Sequence, residues 1–214
     1  VRVDCKTVPN YEMDGMKYSN SPLGADEAVL KGKSKWNNQL YYNIWVINKI
    51  QGGWAGFAYY PSPNNTLDGM VITYDNLSGN VLAHEIGHAL NLKHTFEGDN
   101  NGMNCPSNNN CKVDGDACCD TPPHKVGDCG ATNPCTIAGV WDNSRLNYMS
   151  YCGGADRFTS NQKDRMRLAL NNPRKSLITS EACLSTDLPN DVGIMRVLYP
   201  NDAPLCSDVV SPKV

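Results

Sequence analysis

The sequence predicts an α+β domain stapled by disulfides. Three observations carry that prediction. Short aromatic and β-branched runs precede residue 77, helical periodicity takes over at 79–90 and again at 158–173, and a cysteine-rich stretch without periodicity lies between the helices. With 214 residues and 40% apolar content, the chain can bury one substantial core.

The first strand is read in QLYYNIWVINKI (39–50), which is aromatic and β-branched with near alternation. GFAYYP (56–61) is a second, stopped by its proline, and DGMVITYDN (68–76) is a third, opened by Asp-Gly. From Gly79 to Leu90 the pattern becomes helical, with Val81, Leu82, Ile86, Ala89 and Leu90 apolar and Ser78 as the expected N-cap. Residues 97–147 are rich in Gly, Asn, Asp, Pro and Cys, and a loop of that length in a folded domain needs tying down. FTSNQKDRMRLALNNP (158–173) reads as a helix capped by Thr159 or Ser160, punctuated by Met166, Leu168 and Leu170, and ended by Asn171-Asn172-Pro173. Past Leu188 the texture changes, with Pro189, Pro204 and Pro212 around GIMRVLY. A boundary near 186 therefore divides a main domain, 1–186, from a segment at 187–214.

Composition removes several classes of function. A net charge of −3 with mixed signs offers no electrostatic basis for binding nucleic acid, and no apolar run approaches the roughly 20 residues that span a bilayer. The ten cysteines are even in number, lack any CxxC pair, and crowd between 105 and 152 among loop-forming residues. That pattern suits a secreted protein with disulfides. The chain opens on Val1 without a leader pattern, so a signal or pro-segment is expected to have been removed from what acts as a monomer.

Three of the four histidines stand in HEIGHALNLKH (84–94). On one unbroken helix His84 and His88 share a face, but His94 would lie about 15 Å along the axis from His84. The spacing makes chemical sense if the helix ends after His88 and the chain turns back at Asn91, since Asn tolerates a left-handed conformation. Three imidazoles with a fourth position open to water are the ligand set of a catalytic zinc. Glu85, about 100° around the helix from His84, is placed to act as a general base on that water without competing as a ligand. The alternatives are surface histidines on an amphipathic helix, or a structural zinc. A structural site uses four protein ligands and needs no adjacent carboxylate.

The motif resembles the HExxHxxGxxH signature of metzincin metallopeptidases, and LNYMSY (146–151) resembles the methionine turn of that clan. HTFEG (94–98), GDACCDTPP (115–123), NYMSY (147–151) and FTSNQKDRM (158–166), with NIWV and DGMVI upstream, are similar in order and spacing to the pappalysin family, and most of all to its small ulilysin-like members. The resemblance runs from about Val1 to Cys183. It implies a twisted, mostly parallel sheet, an active-site helix and a loop-rich, disulfide-stapled lower subdomain.

Carried to this chain, the resemblance implies that His84, His88 and His94 bind zinc, that Glu85 is the general base, that Met149 forms a floor under the metal, and that Tyr151 stabilises the oxyanion. It also implies a structural calcium with Asp116 as side-chain ligand and Gly115, Cys119 and Thr121 as carbonyl helpers, a solvated acidic turn being the alternative. The family's disulfides correspond to Cys105–Cys135 and Cys129–Cys152, and the other six cysteines stay unpaired at this stage.

Three departures stand out. Asn91 replaces the family's glycine. Cys152 follows Tyr151 at once, where small members carry acidic residues that favour Arg or Lys after the cut bond, leaving Asp156 as a weak stand-in. The chain also starts at what reads as an internal strand, without the family's first helix and strand. The tail from Asn190 resembles the opening of an immunoglobulin-like module, which implies further C-terminal modules.

Together these readings describe a secreted zinc endopeptidase whose edge strand, at 56–60 or 68–74, holds an extended peptide by strand addition. The rivals are a secreted binding or adhesion module that keeps zinc for stability, and a metzincin peptidase of another branch. The presence of Glu85, dispensable to metal binding alone, argues against the first.

Overall fold

One three-stranded sheet organises the computed structural model, which describes residues 8–17, 23–62, 65–141 and 144–180. Its strands are β1 (Ile44–Ile47), β2 (Gly56–Ala58) and β3 (Met70–Thr73), in the order β1-β3-β2. β1 runs parallel to β3 and β2 antiparallel to it, so the described part of the sheet has one pairing of each kind. β3 is buried at all four positions, as a strand covered on both faces and paired on both sides must be. Of the two candidate edge strands, the 68–74 segment is therefore corrected to a central strand, and the 56–60 segment supplies the edge.

The register sorts the side chains onto two faces. Trp45, Val71 and Phe57 share one face, where they meet Val8, Tyr11, Met16, Leu30, Ile47 and Ile50 in the main apolar core. Two short helices that the sequence reading did not place, α1 (Tyr11–Asp14) and α2 (Glu27–Gly32), precede the first strand and contribute Tyr11 and Leu30 to that core. At four and six residues they are too brief to leave a periodic signal. The other face carries Met70, Ile72, Gly56 and Ala58, and helix α3 (Asn80–Ala89) packs over β2 and β3 there.

The N-cap of α3 is Gly79, not Ser78, and no side chain bonds to the first turn. Helix α4 (Ser160–Asn171) does begin as expected at Thr159, whose hydroxyl accepts from the Gln162 N–H while the Gln162 side chain accepts from the Thr159 N–H. Of the apolar residues that punctuate it, Leu168 is 65% exposed, whereas Gln162 and Ala169 are buried. Gln162 and Asn147 exchange two amide hydrogen bonds, at 2.7 and 3.0 Å, and both are fully buried. A satisfied, buried polar pair thus joins α4 to the methionine turn. A final short helix, α5 (Lys175–Ile178), follows.

Between Ala89 and Ser160 the described residues form no helix or strand beyond one bridge, Asn147 to Arg157. Cys105–Cys135 and Cys129–Cys152 are both formed, as the family pattern implied, and Cys111–Cys119 adds a third link. Cys118 is a buried free thiol. Cys5, Cys183, Cys206, the boundary near 186 and the tail lie outside the described residues. No helix among the described residues is long and apolar enough to cross a membrane.

Arg174, between α4 and α5, clasps the end of α3 to the segments that flank β2 and β3. Buried to 5% exposure, it forms a two-pronged pair with Asp68 at 2.8 and 2.9 Å, donates to the Ala89 carbonyl at the end of α3, and reaches the Tyr59 carbonyl beyond β2. Removing one partner strands a buried charge. Arg174→Ala is accordingly expected to lower stability by about 3–5 kcal/mol in urea unfolding, with Asp68→Asn costing a similar amount.

Candidate active site

The sharp end of α3 decides where the third histidine goes. Asn91 takes φ 70°, the Leu92 N–H returns to the Gly87 carbonyl at 2.8 Å, and the Asn91 N–H returns to the His88 carbonyl at 2.9 Å. This is a Schellman ending with Asn in the left-handed position. Arginines of the C-terminal helices satisfy two carbonyls of the same turn: Arg165 bonds Asn91 and Arg174 bonds Ala89. The chain then reverses, and His94 comes back over the helix.

The three imidazole Nε2 atoms converge. His84 lies 3.1 Å from His88 and 3.2 Å from His94, and His88 lies 3.0 Å from His94. These contacts cannot all be hydrogen bonds. His84 donates its Nδ1–H to the Tyr148 carbonyl at 2.6 Å, and His88 donates its own to the Leu92 carbonyl at 2.8 Å. In the neutral ring that leaves a bare lone pair on each Nε2. The rings are held neutral: burial lowers the pKa of His84, while burial and the neighbouring histidines bring His88 down to about 4 and His94 to about 3. Lone pairs aimed at one point repel unless a cation sits between them. The donor set, three neutral imidazoles with their other nitrogens tied to carbonyls in two of the three, fits zinc. Among the described residues no second group of His, Cys, Asp and Glu gathers in this way.

Glu85 is 5% exposed, and its Oε2 has no hydrogen-bond partner. Burial pushes its carboxyl up to about 7, against a smaller pull downward from the Ala58 backbone. A carboxylate so placed has an oxygen open to accept a proton. Two glycines make this possible. A Cβ on Gly56 of β2 would press against the Val71 carbonyl at 2.9 Å and the Glu85 Cγ at 3.4 Å.

The second glycine, Gly87, sits where Met149 rises against α3: a Cβ there would overlap the Met149 sulfur. Met149 itself is fully buried, its N–H donates to the Asn147 side chain at 2.9 Å, and its carbonyl accepts from the Thr95 N–H at 3.1 Å. The methionine turn therefore touches both the helix that carries His84 and the residue after His94. The Tyr151 phenol lies 3.1 Å from the His94 Nε2, at the mouth of the same cluster. His94 stacks on Phe96, which meets the buried His124 edge to face, and His124 bonds the Thr95 hydroxyl at 2.7 Å.

His84, Glu85, His88, His94 and Tyr151 line a cleft of roughly 670 Å³ bounded by β2, α3 and residues 148–155. The structure brings together His84, His88, His94, Glu85 and Tyr151 in it, with Met149 beneath. Asp156 does not line it: its carboxylate is bonded to the neighbouring Arg157 at 2.6 and 3.0 Å. The remaining expected residues lie in the loop after the helix. Asp116 is buried, accepts from the Cys118 N–H at 3.0 Å and the Thr121 hydroxyl at 2.7 Å, and its carboxyl is pushed up to about 6, mainly by burial. The Gly115 carbonyl faces Lys93 Nζ at 3.4 Å, and Cys119 is held by its disulfide and by Asn161.

Gly56, Gly87, Arg165 and Arg174 were not singled out from the sequence. Gly87 did leave a signal, because glycine inside a helix costs about 1 kcal/mol and needs a reason.

Comparison with known proteins follows the same lines. The peptidase M43 family model, described as pregnancy-associated plasma protein-A, matches residues 24–171. An extracellular metalloprotease of Arthroderma otae is 30% identical over 170 residues, covering 71% of this chain and 58% of that protein. Pappalysin-1 of Mus musculus is 32% identical over 165 residues, which are 68% of this chain and 10% of that protein. The chain thus spans less than two thirds of these relatives. The structure of mature mirolysin from Tannerella forsythia, in complex with a cleaved peptide, superposes with a TM-score of 0.53 at 30% identity, covering 67% of this chain and 58% of that one.

Because Ala at an unconstrained helical site would stabilise, the sign of Gly87→Ala is informative. Overlap with Met149 is expected to win, lowering stability by about 1–3 kcal/mol and reducing bound zinc, as read by thermal unfolding and metal analysis.

Proposed function

The chain belongs to the pappalysin family of metallopeptidases, peptidase M43, and on that premise we propose that it is a secreted, zinc-dependent endopeptidase with Glu85 as general base. The observation that carries this reading is the convergence of three imidazole lone pairs beside a buried carboxylate with an unpartnered oxygen.

His84, His88 and His94 would hold the zinc, which when bound supplies a Lewis acid and makes water acidic enough to be deprotonated near neutral pH. Glu85 takes the proton from the attacking water and returns it to the leaving amine. The Tyr151 phenol donates a hydrogen bond to the oxygen that gains charge as the carbonyl carbon becomes tetrahedral. Edge strand β2 and Tyr60 beyond it border the cleft, where an extended peptide can add as a further strand. The cleaved peptide held by mirolysin makes the same kind of occupant reasonable here. Secretion is supported by the three disulfides and by relatives that are extracellular. A preference for Arg or Lys after the cut bond would require a carboxylate in the cleft, and Asp156, shortly after the methionine turn, is the stand-in weighed for it.

Glu85→Ala is expected to lower kcat by about 10²–10⁴-fold on a quenched fluorescent peptide while zinc content stays at one per chain. Tyr151→Phe should lose about 10²-fold in kcat with KM little changed. Loss of zinc together with activity in Glu85→Ala would instead make that residue structural.

The calcium implied by the family is retained in this proposal, with Asp116 as its charged ligand. Support comes from a buried carboxylate in a turn where Gly115 and Ala117 both take positive φ, at 55° and 59°, which redirects successive carbonyls. Calcium is expected to raise the melting temperature of the wild type and not of Asp116→Asn. Because the metal-free Asp116 keeps its proton up to about pH 6, the calcium effect should weaken as pH falls through that value.

A further inference from the structure

We propose that the cleft, whose lining includes Val81, Tyr148, Cys152 and Ala155, accepts an uncharged apolar side chain at one of the two positions flanking the cut bond, and that it excludes Lys and Arg. The proposal rests on the peptidase reading above and adds the substrate class.

Charge is the first argument. Among the described residues that line the cleft, Glu85 is the sole carboxylate, and there is no lysine or arginine. Glu85 cannot serve as a counter-charge for substrate, because a cation paired to it would stabilise the carboxylate and weaken it as a base. Asp156 is outside the lining, and both of its oxygens already hold Arg157. A basic substrate side chain entering here would leave water without a fixed anion to meet it, a loss that apolar walls do not offset.

Shape and chemistry of the walls are the second argument. Val81 on the first turn of α3, Tyr148, Ala155 and Cys152, which is bridged to Cys129, are all uncharged lining residues. Gly153 puts no side chain on this wall, and a Cβ built on it would have nothing within 4 Å. Side chains of the size of Leu, Met or Phe gain from burial there, and each added methylene is worth about tenfold or more in such a pocket.

The test is a mixed peptide library digested by the zinc-loaded wild type, with Glu85→Ala and Ala155→Asp in parallel and the cut sites read by mass spectrometry. Wild-type cuts should favour Leu, Met or Phe over Lys or Arg by about tenfold or more at one flanking position. Ala155→Asp should raise the share of cuts beside Lys or Arg. If Ala155→Asp does not fold, Val81→Asp, on a helical first turn that tolerates a negative charge, reads the same shift. Wild-type cuts concentrated beside Lys or Arg would overturn this inference while leaving the peptidase reading intact. Identical, uncut libraries from wild type and Glu85→Ala would overturn the peptidase reading and this proposal with it.

Discussion

Three imidazole lone pairs held within 3.2 Å of one another are the constraint on which the rest of this structure depends. Left without a cation, that arrangement is repulsive, so something must hold it. Part of the answer is the pair of carbonyls, Tyr148 and Leu92, that take the Nδ1 protons of His84 and His88 and choose the tautomer. Both carbonyls belong to turns, not to the helix that carries the histidines. The geometry of the site is thus set by how α3 ends and by how the methionine turn is docked.

Both turns are in their turn anchored by α4 and the residues after it. Arg165 and Arg174 tie down the end of α3, while Gln162 holds Asn147, which orients Met149. These are polar contacts, several fully buried, and each is satisfied on both sides, so they fix position without leaving a stranded group. On the opposite flank Lys31 of α2 does a comparable service for the cleft's upper rim. It is 1% exposed, pairs with Glu27 at 2.7 Å, donates to the Leu67 carbonyl at 2.7 Å, and lies 4.7 Å from the centre of the Trp45 ring and 4.8 Å from that of Tyr59. The edge strand that borders the cleft is thereby held to the helix behind it.

How much of this was legible beforehand differs by element for physical reasons. The histidine spacing alone required a helix break near Asn91, and the structure has it, because only a left-handed residue lets His94 return. Two disulfides were legible through the resemblance to the family, and the start of α4 through its two candidate caps, Thr159 and Ser160, of which the structure uses Thr159. Strand order was not: period-2 patterns mark strands but do not say which strand is central, and GFA and MVIT look alike until paired. The helix α4 was legible but its packing was not, because its buried residues are Gln162 and Ala169 while Leu168 is exposed. The Cys111–Cys119 link and the clasp of Arg174 on Asp68 join positions whose relation only the folded chain reveals.

The measurement that bears most directly on the central claim is X-ray absorption at the zinc edge of the purified, zinc-loaded chain. The account predicts one zinc per chain with a first shell of nitrogen and oxygen only, at about 2.0–2.1 Å, three of the scatterers showing the outer-shell pattern of imidazole. A sulfur at about 2.3 Å, as would come from the free thiol of Cys118, or a shell of four protein ligands with no place for water, would contradict it.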